Sequence, residues 1–283
     1  MFRRAGFVER LRSARLEVVD MGDLSKVAFR PDPQNPKQQN LALVCDVARL
    51  VADQISKALG DLAKPIVLGG DCTITIGALA GLIRHVSDLG LIYFDGDVDL
   101  NTPAETTSGI FDGMGMAHIL GLGAEALTHL GSRYPLMLQE NVALFGYNEE
   151  SGWMDDAEVR RLQQCSLARY PASQIRGDAA AKAKEALKRL EDRMEQILVH
   201  FDVDVIDFND FPAADVPHHH GLSFSEAIDA LRVFVSSPKF IGLVITELNG
   251  ERDPDGRYAE RLADAVATAL EAGRAHWRER SVA

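Results

Sequence analysis

Apolar residues along this chain follow two rhythms, and the switching between them predicts the elements. Continuous short runs, Pro65-Ile66-Val67-Leu68, Leu91-Ile92-Tyr93-Phe94, Val142 to Gly146, Ile197 to Phe201 and Phe240 to Thr246, read as buried strands. Leu16 to Asp20 and Ser166 to Tyr170 read as two more. Between them the spacing turns helical. Leu43, Val47, Leu50, Val51, Ile55 and Leu59 mark a helix over 40–59 that Gly60 would end. Further helices are expected at Ala5 to Ala14, Thr73 to Val86, Gly113 to Leu120, Ala179 to Met194 and Arg257 to Arg274. Another runs from Ser223 to Val235, with Ser223 and Glu226 placed as a capping box. Pro31, Pro33 and Pro36 make 30–38 a loop. Alternating strands and helices predict a three-layer α/β/α fold on a mainly parallel sheet. With no repeat, linker or low-complexity segment, one domain is expected over 1–283.

Candidate chemistry sits at the C-terminal ends of these strands. The run ending at Phe94 leads into Asp95, Asp97 and Asp99, at alternate positions. The run ending at Phe201 leads into Asp202 and Asp204, with Asp207 and Asp210 beyond. The run ending at Leu68 leads into Gly69-Gly70-Asp71-Cys72. Unpaired charge is not tolerated inside a sheet. These groups therefore belong at the C-terminal mouth of the strands, where open α/β sheets hold ligands. Carboxylates that close together repel one another unless a cation lies among them.

Composition narrows the function classes. The chain has 283 residues, 46% of them hydrophobic, and a net charge of −12. That charge argues against nucleic acid and anionic membrane as partners and suits a small cation. No apolar run reaches about 18 residues, so no transmembrane helix is expected, and Met1-Phe2-Arg3-Arg4 is not followed by a signal-peptide core. Cys45, Cys72 and Cys165 are odd in number and widely spaced, which points to a reducing cytoplasm.

On the strand-end segments the chain resembles the ureohydrolases: arginase, agmatinase and formiminoglutamase. Their GGDH, DAHxD and SxDxDxxDP segments stand here, in that order, as Gly69-Gly70-Asp71-Cys72, Asp95-Gly96-Asp97-Val98-Asp99 and His200-Phe201-Asp202-Val203-Asp204. The resemblance implies an arginase-like fold and hydrolysis of a guanidino or amidino C–N bond, arginine-like substrates leading, with release of urea or a related amide. It implies manganese held by Cys72, Asp95, Asp97, Asp99, Asp202 and Asp204, with Asp95 and Asp202 as bridges. Two ions are expected, or one if Cys72 has left the ligand set. Asn101 and Ser108 match positions that contact the amino-acid end of the substrate, and Glu247 matches the glutamate that holds the guanidinium. Asp99, Asp112 and Glu247 are the expected catalytic residues, in a cytoplasmic homo-oligomer. Two alternatives stay open: a non-catalytic or regulatory relative, and a magnesium phosphohydrolase.

The chain departs from the family pattern at several points. Cys72 and Asp97 stand where the segments carry histidine, which adds negative charge and makes each bound ion a poorer Lewis acid. Asp112 stands where the arginase loop carries a histidine, and a carboxylate there could shuttle protons or be merely structural. The acidic pair after the next strand is replaced by Gly146-Tyr147-Asn148-Glu149-Glu150-Ser151. Family members also begin with an earlier strand and a Gly/Pro-rich loop, so the start is misassigned or the sheet is one strand short. His118 reads as a core or surface residue. His218-His219-His220 reads as a solvated loop, with supply of a missing imidazole as the alternative.

Overall fold

The computed structural model describes residues 1–277. Its elements, in chain order, are α1 (Phe7–Ser13), α2 (Leu41–Gly60), β1 (Ile66–Leu68), α3 (Ile74–Leu82), β2 (Leu89–Phe94), α4 (Gly115–Ile119), α5 (Glu125–Thr128) and β3 (Val142–Phe145). Then come α6 (Asp156–Gln164), β4 (Ala168–Tyr170), α7 (Ala172–Ile175), α8 (Ala179–Glu191), β5 (Gln196–Asp202), α9 (Phe224–Val235), β6 (Phe240–Thr246) and α10 (Arg257–Arg274). The six strands make one sheet in the order β1-β6-β5-β2-β3-β4. Every pairing is parallel.

Strand side chains alternate between two faces, and the two cores divide along that alternation. Ile92, Phe94, Phe145, Val199, Phe201 and Ile245 join a core with α1, α8, α9 and α10. Leu91, Tyr93, Leu144, Leu198 and Val244 join a second core with α2 and α3. Helices therefore cover both faces, as the strand–helix alternation predicts. The capping box at Ser223 and Glu226 is formed. An equivalent box at Asp155 and Glu158 starts α6, an element the apolar pattern did not reveal.

Two expected elements are corrected. Leu16 to Asp20 forms no strand. Val19 is 78% exposed, and Asp20 is tied to Arg3 at 2.7 Å. A strand exists only by pairing, and this segment has no neighbour in the sheet. The helix expected over 73–86 spans only Ile74–Leu82, and the chain leaves it through turns at 83–85. No helix among the described residues is long and apolar enough to cross a membrane.

Candidate metal centre

β2 and β5 are adjacent, with Phe94 opposite Phe201. The next residues, Asp95 and Asp202, thus emerge side by side, on the face that carries Tyr93 and His200. β6 lies on the other side of β5, with Thr246 opposite Asp202. The Thr246 hydroxyl donates to Asp202 Oδ2 at 2.7 Å. β1 reaches the same rim through the Gly69-Gly70 turn. Gly70 has φ +23°, and its carbonyl accepts from Glu247 N at 3.0 Å, which ties the β1 exit to the β6 exit. Cys72 then stands in the turn just before α3. Asp99 and Glu247 both take positive φ, 50° and 62°. Such strained backbone persists only where surroundings impose it, and it concentrates at functional sites.

Two groups of side chains converge here. In the first, ligand atoms of Cys72, Asp95, His200 and Asp202, all buried, lie within 4.8 Å of one another. Cys72 Sγ is 2.9 Å from Asp202 Oδ2 and 3.5 Å from Asp95 Oδ2. His200 Nε2 is 3.1 Å from Asp95 Oδ2 and 3.7 Å from Cys72 Sγ. The second group is Asp97, Asp204 and His218. His218 Nε2 stands 3.2 Å from Asp97 Oδ2 and 3.7 Å from Asp204 Oδ2. Neither contact is aligned as a hydrogen bond, and among the described residues both nitrogens of this wholly buried ring lack a partner. Orphaned buried nitrogens facing two carboxylates fit a divalent cation, as do the sulfur, imidazole and carboxylate donors of the first group.

Burial pushes the carboxyls of Asp95, Asp99 and Asp204 well above the usual range, and neighbouring carboxylates push them further. Burial raises Asp202 more modestly because Cys72, the Asp204 backbone and Thr246 donate to it. Burial likewise raises the Cys72 thiol and drives His200 down to about 3, leaving its ring neutral. Without a cation, the folded site favours protonated carboxyls.

A third group joins Cys72 to Asp112 and Glu247, again within 4.8 Å. Asp112 Oδ1 accepts from Cys72 N at 2.9 Å. Asp99 is buried but belongs to none of the three groups among the described residues, and its carboxylate accepts from the Tyr93 hydroxyl. Asn101 has a buried Oδ1 with no hydrogen-bond partner among the described residues. Ser108 is exposed, its hydroxyl accepting from Ile110 N at 3.2 Å.

The Arginase family model matches residues 3–271. The chain belongs to the arginase family. It is 28% identical to the arginase of Bacillus caldovelox over 271 residues, 95% of this chain and 88% of that protein. The crystal structure of the Bacillus cereus arginase superposes with a TM-score of 0.86 at 28% identity, covering 95% of this chain and 90% of that one. The formimidoylglutamase of Bacillus subtilis subsp. subtilis str. 168 shares the fold, with a TM-score of 0.67 at 19% identity over 81% of this chain and 67% of that one.

Within this arginase-family site, Cys72, Asp95, Asp97, Asp202 and Asp204 meet at one rim, with Glu247 and Asp112 beside them. Two histidines also stand there: His200, which was not among the expected ligands, and His218, which was weighed only as the alternative to a solvated loop. His200 opens the segment whose family pattern begins with serine, and that mismatch was the available signal. His218 corrects the solvated-loop reading: its ring is buried at the site, and only His219 and His220 are exposed. His118 is structural, with Nδ1 2.8 Å from Met114 O and Nε2 accepting from Ala124 N at 2.9 Å.

Proposed function

We propose that this protein hydrolyses a guanidino or amidino C–N bond of a small cationic, arginine-like compound. The observation that carries the reading is the position of Glu247, a buried carboxylate grouped with Asp112 and Cys72 at the edge of the strand-end cluster. A planar guanidinium can donate paired, charge-assisted hydrogen bonds to such a carboxylate. Family membership and arginase relatives support the same chemistry.

In this reading Cys72, Asp95, Asp97, Asp99, Asp202 and Asp204 would hold divalent ions, manganese by family precedent. Bound ions of this kind supply the acidity that makes water a nucleophile at neutral pH. Glu247 orients the guanidinium carbon toward the carboxylate rim. In this reading Asp112, next to Glu247, hands a proton to the departing amine. The unpartnered Oδ1 of Asn101 is available to a donor at the far end of the substrate, and Ser108 is assigned to that end by its match to the family loop. The buried, unpaired cysteines suit a cytoplasmic setting, and a homo-oligomer is part of the same reading.

The test is urea release from a panel of guanidino compounds with manganese, zinc or cobalt(II) supplied. Glu247→Gln removes the charge from hydrogen bonds worth about 1.5–3 kcal/mol. It is expected to raise KM roughly 10- to 100-fold with metal content unchanged. Equal loss of metal and substrate binding would overturn the role of Glu247. A second reading, a metal-binding relative without hydrolysis, is favoured by Cys72 and Asp97 standing where family segments carry histidine. Metal uptake with no turnover of any guanidino compound would establish it.

A further inference from the structure

We propose that His200 and His218 are metal ligands, and that they divide the centre into two chemically unlike subsites. One is thiolate- and imidazole-rich, from Cys72, His200, Asp95 and Asp202, and selects a borderline ion such as zinc or cobalt(II) over manganese. The other is an imidazole–carboxylate subsite of His218, Asp97 and Asp204. The inference builds on the hydrolase reading above but concerns ligand identity and metal choice.

The first subsite has the dimensions of a tetrahedral site. Zinc bonds of about 2.0–2.3 Å place ligand atoms roughly 3.3–3.8 Å apart. Sγ–Nε2 at 3.7 Å, Sγ–Asp95 at 3.5 Å and Nε2–Asp95 at 3.1 Å lie close to that, and Sγ–Asp202 at 2.9 Å needs only to open. His200 is held for the task. Its ring stacks on Tyr93 with centroids 4.2 Å apart, and its Nδ1 is 2.8 Å from Thr75 Oγ1. In the tautomer where Nδ1–H donates to the Thr75 hydroxyl, the Nε2 lone pair is directed at Cys72 and Asp95, the arrangement that orients a metal-binding imidazole. Thiolate and imidazole together favour zinc and its neighbours, whereas manganese prefers oxygen donors.

The second subsite rests on a different observation. A buried imidazole with both nitrogens unpaired loses two hydrogen bonds to water and gains none. His218 nevertheless directs Nε2 between two carboxylates. The backbone opposite gives way to it: a Cβ on Gly96 would lie 2.9 Å from His218 Cδ2. Asp97 stands where family segments carry histidine, so His218 brings an imidazole to the same group from another direction.

The experiment uses the full-length protein stripped by chelator and retitrated with cobalt(II), zinc and manganese, read by absorbance and calorimetry. Cobalt(II) is expected to produce a near-ultraviolet thiolate-to-metal band. Cys72→Ser should abolish that band and weaken zinc at least tenfold more than manganese. His218→Ala should keep the band and lose one equivalent of metal. His218→Asn, which preserves polarity and most of the volume, serves if the alanine variant does not fold. Cobalt binding without the band, or equal losses of zinc and manganese in Cys72→Ser, would overturn the first subsite. Unchanged stoichiometry and affinity in both His218 variants would overturn the second. The readouts are independent of turnover: a protein that shows the band and the stoichiometry yet hydrolyses no guanidino compound refutes the hydrolase reading and leaves these ligands standing.

Discussion

Gly96 lies between the two carboxylate-bearing strand ends, and replacing it with alanine tests how tightly they are packed. Its N–H donates to Asp204 Oδ1 at 3.0 Å. A Cβ there would sit 2.8 Å from the same Oδ1, 2.9 Å from the Asp204 carbonyl oxygen and 2.9 Å from His218 Cδ2. All three separations are shorter than ordinary contact, and one is to backbone that cannot swing away. Overpacking of this kind costs about 1–3 kcal/mol. With three clashes at one atom, we expect about 2–3 kcal/mol for Gly96→Ala. Removing the ring relieves one clash of the three, so in a His218→Ala background the same substitution should cost about 1 kcal/mol less. Urea titrations of the four metal-free proteins, fitted with a common m value, give the coupling directly. Additivity to within about 0.5 kcal/mol would show that the ring does not occupy the space beside Gly96, and would refute the placement of His218 on which the second subsite depends.

Burial, outweighing its backbone hydrogen bonds, raises the Glu158 carboxyl from 4.5 to about 7, with Asp97 adding to the shift. A folded pKa above the unfolded one means the folded state prefers the proton; stability is complete below about pH 4.5 and falls as pH rises to about 7, by at most about 3 kcal/mol. In metal-free protein, Glu158→Gln should therefore gain on the parent by up to about 3 kcal/mol between about pH 4.5 and 8; parallel stability–pH curves would contradict this. A Cβ on Gly81 would lie 2.5 Å from the Ala52 carbonyl oxygen and 2.8 Å from Ile55 Cβ, so Gly81→Ala should wedge α3 from α2 at a cost of about 3 kcal/mol. An unchanged melting temperature would show that the two helices are not in that close contact.

The sheet was legible because its strands are runs of apolar residues long enough to be buried on both faces, and because the helices between them keep a regular spacing. Leu16 to Asp20 has strand composition but no partner, and pairing is not written in a segment's own residues. The convergence of Asp95, Asp97, Asp202 and Asp204 was legible for the same reason as the strands, since carboxylates at strand ends can only lie at the mouth. His218 was not, because its burial depends on tertiary hydrogen bonds around it. Phe208 N donates to the His218 carbonyl at 2.7 Å. His220 N donates to Asp207 Oδ2 at 2.7 Å, and Asn148 Nδ2 to the His219 carbonyl at 2.7 Å. These bonds turn a polar triplet inward by one residue. His200 reads only as a member of an apolar run, although its side chain shares the Asp202 face.

The place of β6 in the sheet has a consequence for how the molecule is made. This last strand lies between β1 and β5, and residue 66 pairs with residue 243. While the chain is being synthesised, β1 has no neighbour and β5 presents a bare edge until 240–246 has emerged. An unpaired parallel edge invites wrong pairing, and closing so distant a contact is slow. Insertion of β6 completes the sheet between the β1 exit that carries Cys72 and the β5 exit that carries Asp202. On the metal reading proposed above, a nascent chain carries the candidate ligands in two halves, and capture of metal is a late event in folding.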